Sequence, residues 1–129
     1  MEYKNILYEH EDHVVTITIN RPKVRNCINF ETNLELQHAW KKFRDDEDAF
    51  VAIFTGAGDK SFSAGWDLND AAALESIGTY DQFRLAVHNS EGYCGYTKKF
   101  DIFKPIIAAV NGYAFAAGLE SCLLADIRI

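Results

Sequence analysis

Phe50-Val51-Ala52-Ile53-Phe54-Thr55-Gly56 is an apolar run of strand length that ends at a glycine. Ile106-Ile107-Ala108-Ala109-Val110-Asn111-Gly112 repeats that layout later in the chain. Each run is followed by an Ala-Gly-x-acid step at an expected helix start, Ala64-Gly65-Trp66-Asp67 and Ala117-Gly118-Leu119-Glu120. Continuous apolar runs bounded by turn signals read as buried strands. Strands alternating with helical patterns predict an α/β sheet whose loops carry the site. In both units backbone N–H groups gather where a strand gives way to a helix, which suits a negatively charged oxygen.

Working outward, residues 4–9 and 13–20 read as a hairpin with its turn at Glu11 and Asp12. Val14, Thr16 and Thr18 alternate with Val15, Ile17 and Ile19, so β-branched residues lie on both faces of the second strand. Asn20-Arg21-Pro22 ends it, since proline cannot continue a ladder. A helix is expected over Phe30–Arg44 with Asn29 as its N-cap. Its buried face is Leu36, Ala39, Trp40 and Phe43, at i, i+3, i+4 and i+7, and Lys41, Lys42 and Arg44 complement the dipole at its end. Asp59–Gly65 reads as a loop leading to a helix near Asp67, which Asp67 caps. A second long helix is expected from Tyr80 to Phe103, stopped by Pro105; a short one covers Ala116–Leu124, and Asp126–Ile129 opens a further strand. No Ser/Gly linker marks a boundary, so residues 1–129 read as a portion of one domain. The apolar alternation stops in mid-course at Ile129, as if the chain were cut there.

Composition narrows the function. Of 129 residues 13% are aromatic, too much core material for a disordered chain. No run approaches the ~20 apolar residues that cross a bilayer, and Met1-Glu2-Tyr3-Lys4-Asn5 lacks the layout of a secretion signal, so a cytoplasmic protein is expected. A net charge of −6 with no basic stripe argues against nucleic acid. Arg21, Lys23 and Arg25 nonetheless form a local basic cluster able to meet a small anion, the alternative being a solvated loop. Cys27, Cys94 and Cys122 form no CxxC pair and read as reduced thiols. The four histidines form no metal-ligand pattern.

Three blocks occur in order: Thr16-Ile17-Thr18-Ile19-Asn20-Arg21-Pro22 with Asn26; Phe54-Thr55-Gly56-Ala57-Gly58-Asp59-Lys60-Ser61-Phe62-Ser63-Ala64-Gly65-Trp66-Asp67-Leu68; and Lys104-Pro105-Ile106 through Ala117-Gly118-Leu119-Glu120 to Ala125-Asp126-Ile127-Arg128-Ile129. Together they resemble the N-terminal portion of the enoyl-CoA hydratase/isomerase (crotonase) superfamily. The resemblance implies an α/β crotonase-like spiral of repeated β-β-α units, its C-terminal part lying beyond Ile129. It implies acyl-CoA thioesters as substrates, no metal or redox cofactor (coenzyme A being part of the substrate), and a homotrimer or hexamer. By motif position, the backbone N–H groups of Trp66 and Ala117 correspond to the pair that holds the enolate oxygen. Glu120 corresponds to the first catalytic glutamate of the hydratases. Read without the resemblance, Glu120 is a first-turn carboxylate that suits the helix dipole. Coenzyme A is expected at Lys23, Val24, Arg25, Ala64 and Leu68.

The reaction so implied is addition of water to a 2-enoyl-CoA. Isomerase, hydrolase or decarboxylase chemistry, or a non-catalytic unit that binds acyl-CoA or a partner, are the alternatives. Three departures stand out. Ala116-Ala117-Gly118 replaces the family's three glycines, and any positive φ there is unfavourable to alanine. Trp66 is large where smaller residues are frequent, so its ring is expected to shape the acyl pocket. The second catalytic acid of the hydratases falls beyond Ile129, so little hydratase activity is expected of these 129 residues alone.

Overall fold

The β-branched alternation at Val14–Ile19 becomes strand β2 in the computed structural model, which describes residues 2–70, 91–98 and 101–129. β1 (Ile6–Glu11) pairs with it antiparallel, with Ile6 opposite Ile19 and Glu11 opposite Val14. The turn is therefore Asp12-His13, and the first strand lies two residues later than its expected span of 4–9. The register that buries Ile6 against Ile19 decides this, and Asp12 supplies the positive φ of +50° that a two-residue turn requires.

Helix α1 (Phe30–Asp45) starts where expected: the Asn29 side-chain oxygen accepts the Thr32 N–H at 2.9 Å. Leu36, Ala39, Trp40 and Phe43 are buried, as their spacing predicts. Burial of each large side chain among them contributes roughly 1.5–3 kcal/mol. Trp40 stands at 5.2 Å from Phe54 and 4.5 Å from Tyr96 between ring centroids, and its indole N–H donates to the Cys94 carbonyl at 2.9 Å.

The helix is the crossover from β2 to β3 (Val51–Gly56), which lies parallel to β2. Then come β4 (Ser61–Ser63), β5 (Ile106–Ala108), β6 (Tyr113–Ala114), helix α2 (Ala117–Leu124) and β7 (Ile127–Arg128). The large sheet has the order β1-β2-β3-β5-β7, and β4 and β6 make a second, two-stranded parallel sheet. The two look-alike apolar runs are thus adjacent parallel strands of one sheet, and the segment after each pairs with its counterpart in the other. The repeated unit read from the sequence is a repeat in space.

Two expectations change. The loop assigned to Asp59–Gly65 contains β4, a strand that exists through its pairing with β6. Of the helix expected over Tyr80–Phe103, residues 80–90 and 99–100 lie outside the described residues; the described remainder is not α-helical. It forms a 3₁₀ turn at Tyr93–Gly95, and residues 101–103 are irregular. α1 imposes this turn: the Gly95 N–H donates to the Asn33 side-chain oxygen at 3.1 Å, and a β-carbon on Gly95 would lie 2.5 Å from the Gln37 nitrogen. Residues 68–70 are helical, in keeping with a helix start near Asp67, and its continuation lies outside the described residues.

Candidate functional site

The strand-to-helix steps of the two units meet face to face. β4 lies beside β6 with Ser63 opposite Ala114, so the residues that follow each strand come into contact. Gly65 has φ +92°, and a β-carbon on it would lie 2.8 Å from the Ala116 β-carbon and 3.3 Å from the Ala117 nitrogen. Trp66 and Ala117, distant in sequence, are therefore brought to one place.

Hydrogen bonding fixes the direction of both backbone N–H groups. The Gly65 carbonyl accepts the Ile28 N–H at 2.8 Å, and Trp66 forms a parallel bridge with Ile28. In a trans peptide the C=O and N–H point opposite ways, so the Trp66 N–H points away from Ile28. The Ala116 carbonyl accepts the Glu120 N–H at 2.9 Å, so the Ala117 N–H points out of the N-terminal end of α2. As the first residue of that helix, Ala117 has no acceptor within it. Such a pair of fixed donors is the arrangement that stabilises negative charge developing on an oxygen.

Ala116 is strained. Its φ of +46° and ψ of −124° fall in a region that glycine enters readily and L-residues avoid. The substitution of alanine for glycine at this step is accommodated in the backbone, not avoided. Behind the step, the buried Cys94 thiol donates to the Ala117 carbonyl at 3.4 Å, and burial pushes that thiol's pKa up to about 12. Glu120 is exposed in the first turn of α2.

The residues expected at coenzyme A divide. Lys23 and Val24 lie on a 3₁₀ turn (Pro22–Val24) closed by Arg25 at φ +57°, and all three are exposed. The Ala64 N–H donates to the Arg25 carbonyl at 3.0 Å, which joins this loop to the step before Trp66. Leu68 is 81% exposed at the start of the following helix. Arg21 leaves the basic cluster: its guanidinium donates to the Cys27 carbonyl and to Asp67, at 2.6 and 3.1 Å. Instead Lys60 joins Lys23 in an open groove formed with Pro22, Ala57, Gly58, Ser61 and the acidic Asp59. Its place in a Gly-Asp-Lys turn carried no helical or strand periodicity to mark it.

Asn26, quoted above only as part of a motif, is wholly buried at the centre of this arrangement. Its side-chain oxygen accepts the Arg21 N–H at 3.0 Å, and its amide donates to the carbonyls of Ala57 and Ser61 at 3.0 and 2.8 Å. Asp67 caps as expected, accepting the Asn69 N–H at 3.2 Å.

The family model described as Enoyl-CoA hydratase/isomerase matches residues 9–129. The chain belongs to this family. The crotonase superfamily member is 47% identical over 116 residues to a carnitinyl-CoA dehydratase of Salmonella enteritidis PT4, covering 90% of this chain and 41% of that one. Its fold is that of a carnitinyl-CoA dehydratase of Mycobacterium avium 104, with TM-score 0.82 and 38% identity over 98% of this chain and 46% of that one. An enoyl-CoA hydratase of Mycobacterium tuberculosis H37Rv superposes with TM-score 0.79 and 37% identity, over 96% and 44%. The chain thus spans less than half the length of these crotonase relatives. No helix among the described residues is long and apolar enough to cross a membrane.

Proposed function

We propose that this chain carries the thioester-binding and oxyanion-stabilising part of an acyl-CoA hydratase/dehydratase. The reaction is addition of water to a 2-enoyl-CoA, or its reverse, through an enolate. The observation that carries the reading is the contact of the Gly65-Trp66 step with the Ala116-Ala117 step, with the direction of each N–H set by its own peptide. In this reading the N–H groups of Trp66 and Ala117 hold the thioester oxygen as charge develops on it. Losing one such donor typically costs about 100- to 1000-fold in rate. Glu120, one turn into α2, serves as the proton-transfer and water-orienting carboxylate. Lys23, Val24, Arg25, Ala64 and Leu68 receive coenzyme A, which is part of the substrate, and no separate cofactor enters the chemistry.

The similarity to carnitinyl-CoA dehydratases favours a 3-hydroxyacyl or 2-enoyl thioester over the substrates of isomerase, hydrolase or decarboxylase reactions. A homotrimer or hexamer fits the apolar residues left exposed, among them Tyr113, Phe115 and Leu123 at 57–67%. The deciding experiment mixes the protein with crotonyl-CoA and follows the ultraviolet absorbance of the conjugated thioester. Binding of the thioester by these 129 residues, and loss of that absorbance with 3-hydroxybutyryl-CoA as product in a longer form that carries the second acid, are expected. Tight binding without turnover would leave an acyl-CoA-binding unit instead.

A further inference from the structure

The Trp66 N–H sits in a chain segment that cannot orient itself. Gly65, just before it, is a glycine at positive φ, the residue least able to hold a peptide plane by its own sterics. The plane is held from outside, by a ladder of bonds to the loop at residues 21–30. The Arg25 carbonyl accepts the Ala64 N–H, the Gly65 carbonyl accepts the Ile28 N–H, and the Ile28 carbonyl accepts the Asp67 N–H, at 3.0, 2.8 and 2.8 Å. The Phe30 N–H donates to Asp70 at 2.7 Å. One charged contact ties the two segments: the Arg21 guanidinium meets Asp67 Oδ2 at 3.1 Å, with the two side chains 18% and 13% exposed. The same guanidinium nitrogen donates to the Cys27 carbonyl, which anchors it on the loop side.

We infer that the Arg21–Asp67 ion pair is a strut that positions the Trp66 N–H, and that it couples the Lys23–Arg25 loop to that donor. Arg21 and Asp67 are positioning residues, since they meet each other and the Cys27 carbonyl and act through the segments they hold. The position of the pair carries the argument. Arg21 immediately precedes the turn bearing Lys23–Arg25, and Asp67 immediately follows Trp66. A ligand that orders the first loop therefore orders the second, so binding at the nucleotide end is felt at the thioester oxygen. Interactions that position rather than bind act on the chemical step more than on affinity.

The inference rests on the reading of Trp66 as an oxyanion donor, so the experiment has two arms. The first measures kcat and KM for crotonyl-CoA in the Asp67→Asn, Asp67→Glu and Arg21→Lys variants of a longer form that carries the second acid. Asp67→Asn is expected to lower kcat about 10-fold or more while KM changes less than about 2-fold, and Asp67→Glu to recover much of the loss. The second measures amide hydrogen exchange at Ala64, Ile28 and Asp67, with Ile17 in β2 as a core reference. Exchange at the three site amides is expected to rise about 10-fold in Asp67→Asn and to stay unchanged at Ile17. Unchanged kcat in Asp67→Asn and Arg21→Lys overturns the strut, as does an equal loss in kcat and core protection. If the longer form turns over no thioester, the functional reading fails by itself. The exchange arm then decides the strut alone: unchanged rates at Ala64, Ile28 and Asp67 overturn it, and a rise confined to them supports it. Should Asp67→Asn not fold, Arg21→Lys, which keeps the charge but not the forked geometry, gives both readouts.

Discussion

Gly118 is pressed against the Ser63 carbonyl: a β-carbon on it would lie 2.5 Å from that oxygen and 2.8 Å from the Ser63 β-carbon. Gly65 is pressed in return against the other unit, where its β-carbon would lie 2.8 Å from the Ala116 β-carbon and 2.9 Å from the Phe115 carbonyl oxygen. The two Ala-Gly steps of the repeat interlock, each glycine admitting the backbone of the other. Gly118→Ala is therefore expected to destabilise the fold by about 1–3 kcal/mol, the usual cost of forced overpacking. Gly65→Ala is expected to cost more, because its backbone also holds φ at +92°. Urea unfolding of both variants checks the order.

Ala116→Gly should act in the opposite sense. The strain of an L-residue at φ +46° and ψ −124° is worth about 1–3 kcal/mol, and glycine's extra chain entropy returns roughly 0.5–1 kcal/mol of it. A net gain of about 1 kcal/mol is expected, read as a higher urea midpoint with unchanged slope. A loss of stability would show that the Ala116 methyl packs usefully against Gly65.

Removing the Asn26 side chain exposes how much that one amide organises. Asn26→Ala leaves the buried Ser61 carbonyl and the partly buried Arg21 N–H and Ala57 carbonyl without their Asn26 partner. It also puts alanine at φ +55°, a conformation that asparagine tolerates better. A cost of about 2–4 kcal/mol is expected. Asn26→Asp, which keeps the acceptor for Arg21 but loses both donors, should still fall well short of the parent. Thermal or urea denaturation distinguishes the two.

Glu120→Gln tests the proposed proton transfer. The variant keeps the shape and hydrogen-bonding reach of the side chain without its basicity. In a longer form that carries the second acid, hydration of crotonyl-CoA is expected to fall about 100-fold or more in kcat with a far smaller change in KM. Near-parental turnover would remove Glu120 from the mechanism.

The first helix, its Asn29 cap and its buried face were legible because each is a local pattern: a capping side chain and apolar residues at helical spacing. The repeat was legible because glycine and alanine mark both of its turns. The 3₁₀ turn at Tyr93–Gly95 was not, because its shape is imposed from outside by Asn33, Gln37 and Trp40 on α1. β4 and β6 have three and two residues, too few to carry a periodicity, and exist only as a pair. At the site, Trp66 and Ala117 were named only through the family resemblance, and charge alone put Arg21 in the wrong company. Its partner is Asp67, far along the chain, and no spacing rule connects the two.

Alkaline pH should unfold the protein through its buried acids. Burial raises Cys94 from its ordinary 9.0 to about 12. Burial, then the charges of Asp46 and Tyr3, raise Tyr8 from 10.0 to about 12, and burial raises Tyr96 as well. Each is an acid whose folded pKa lies above its unfolded one, so the unfolded chain releases the proton first. Their contribution is whole below about pH 9 and is lost as pH rises toward about 12. The urea midpoint is expected to fall steadily from about pH 9 to about pH 11. Tyrosinate absorbance should then appear together with unfolding, not ahead of it.

The parallel sheet also sets the pace at which the chain can find its fold. β2 meets β3 by joining Val14 to Val51, β3 meets β5 by joining Ala52 to Ile106, and β5 meets β7 by joining Ile107 to Ile127. Only the β1–β2 hairpin is a local ladder among the described residues. Every other strand contact waits on closure of a long stretch of chain, so refolding should take milliseconds to seconds, not microseconds. Trp40 is the natural clock, because its ring touches Phe54 and Tyr96, which come from two other segments. In a Trp66→Phe background, its stopped-flow fluorescence should reach the native value only in the slowest step. A microsecond approach to that value would mean that the core closes before the sheet does.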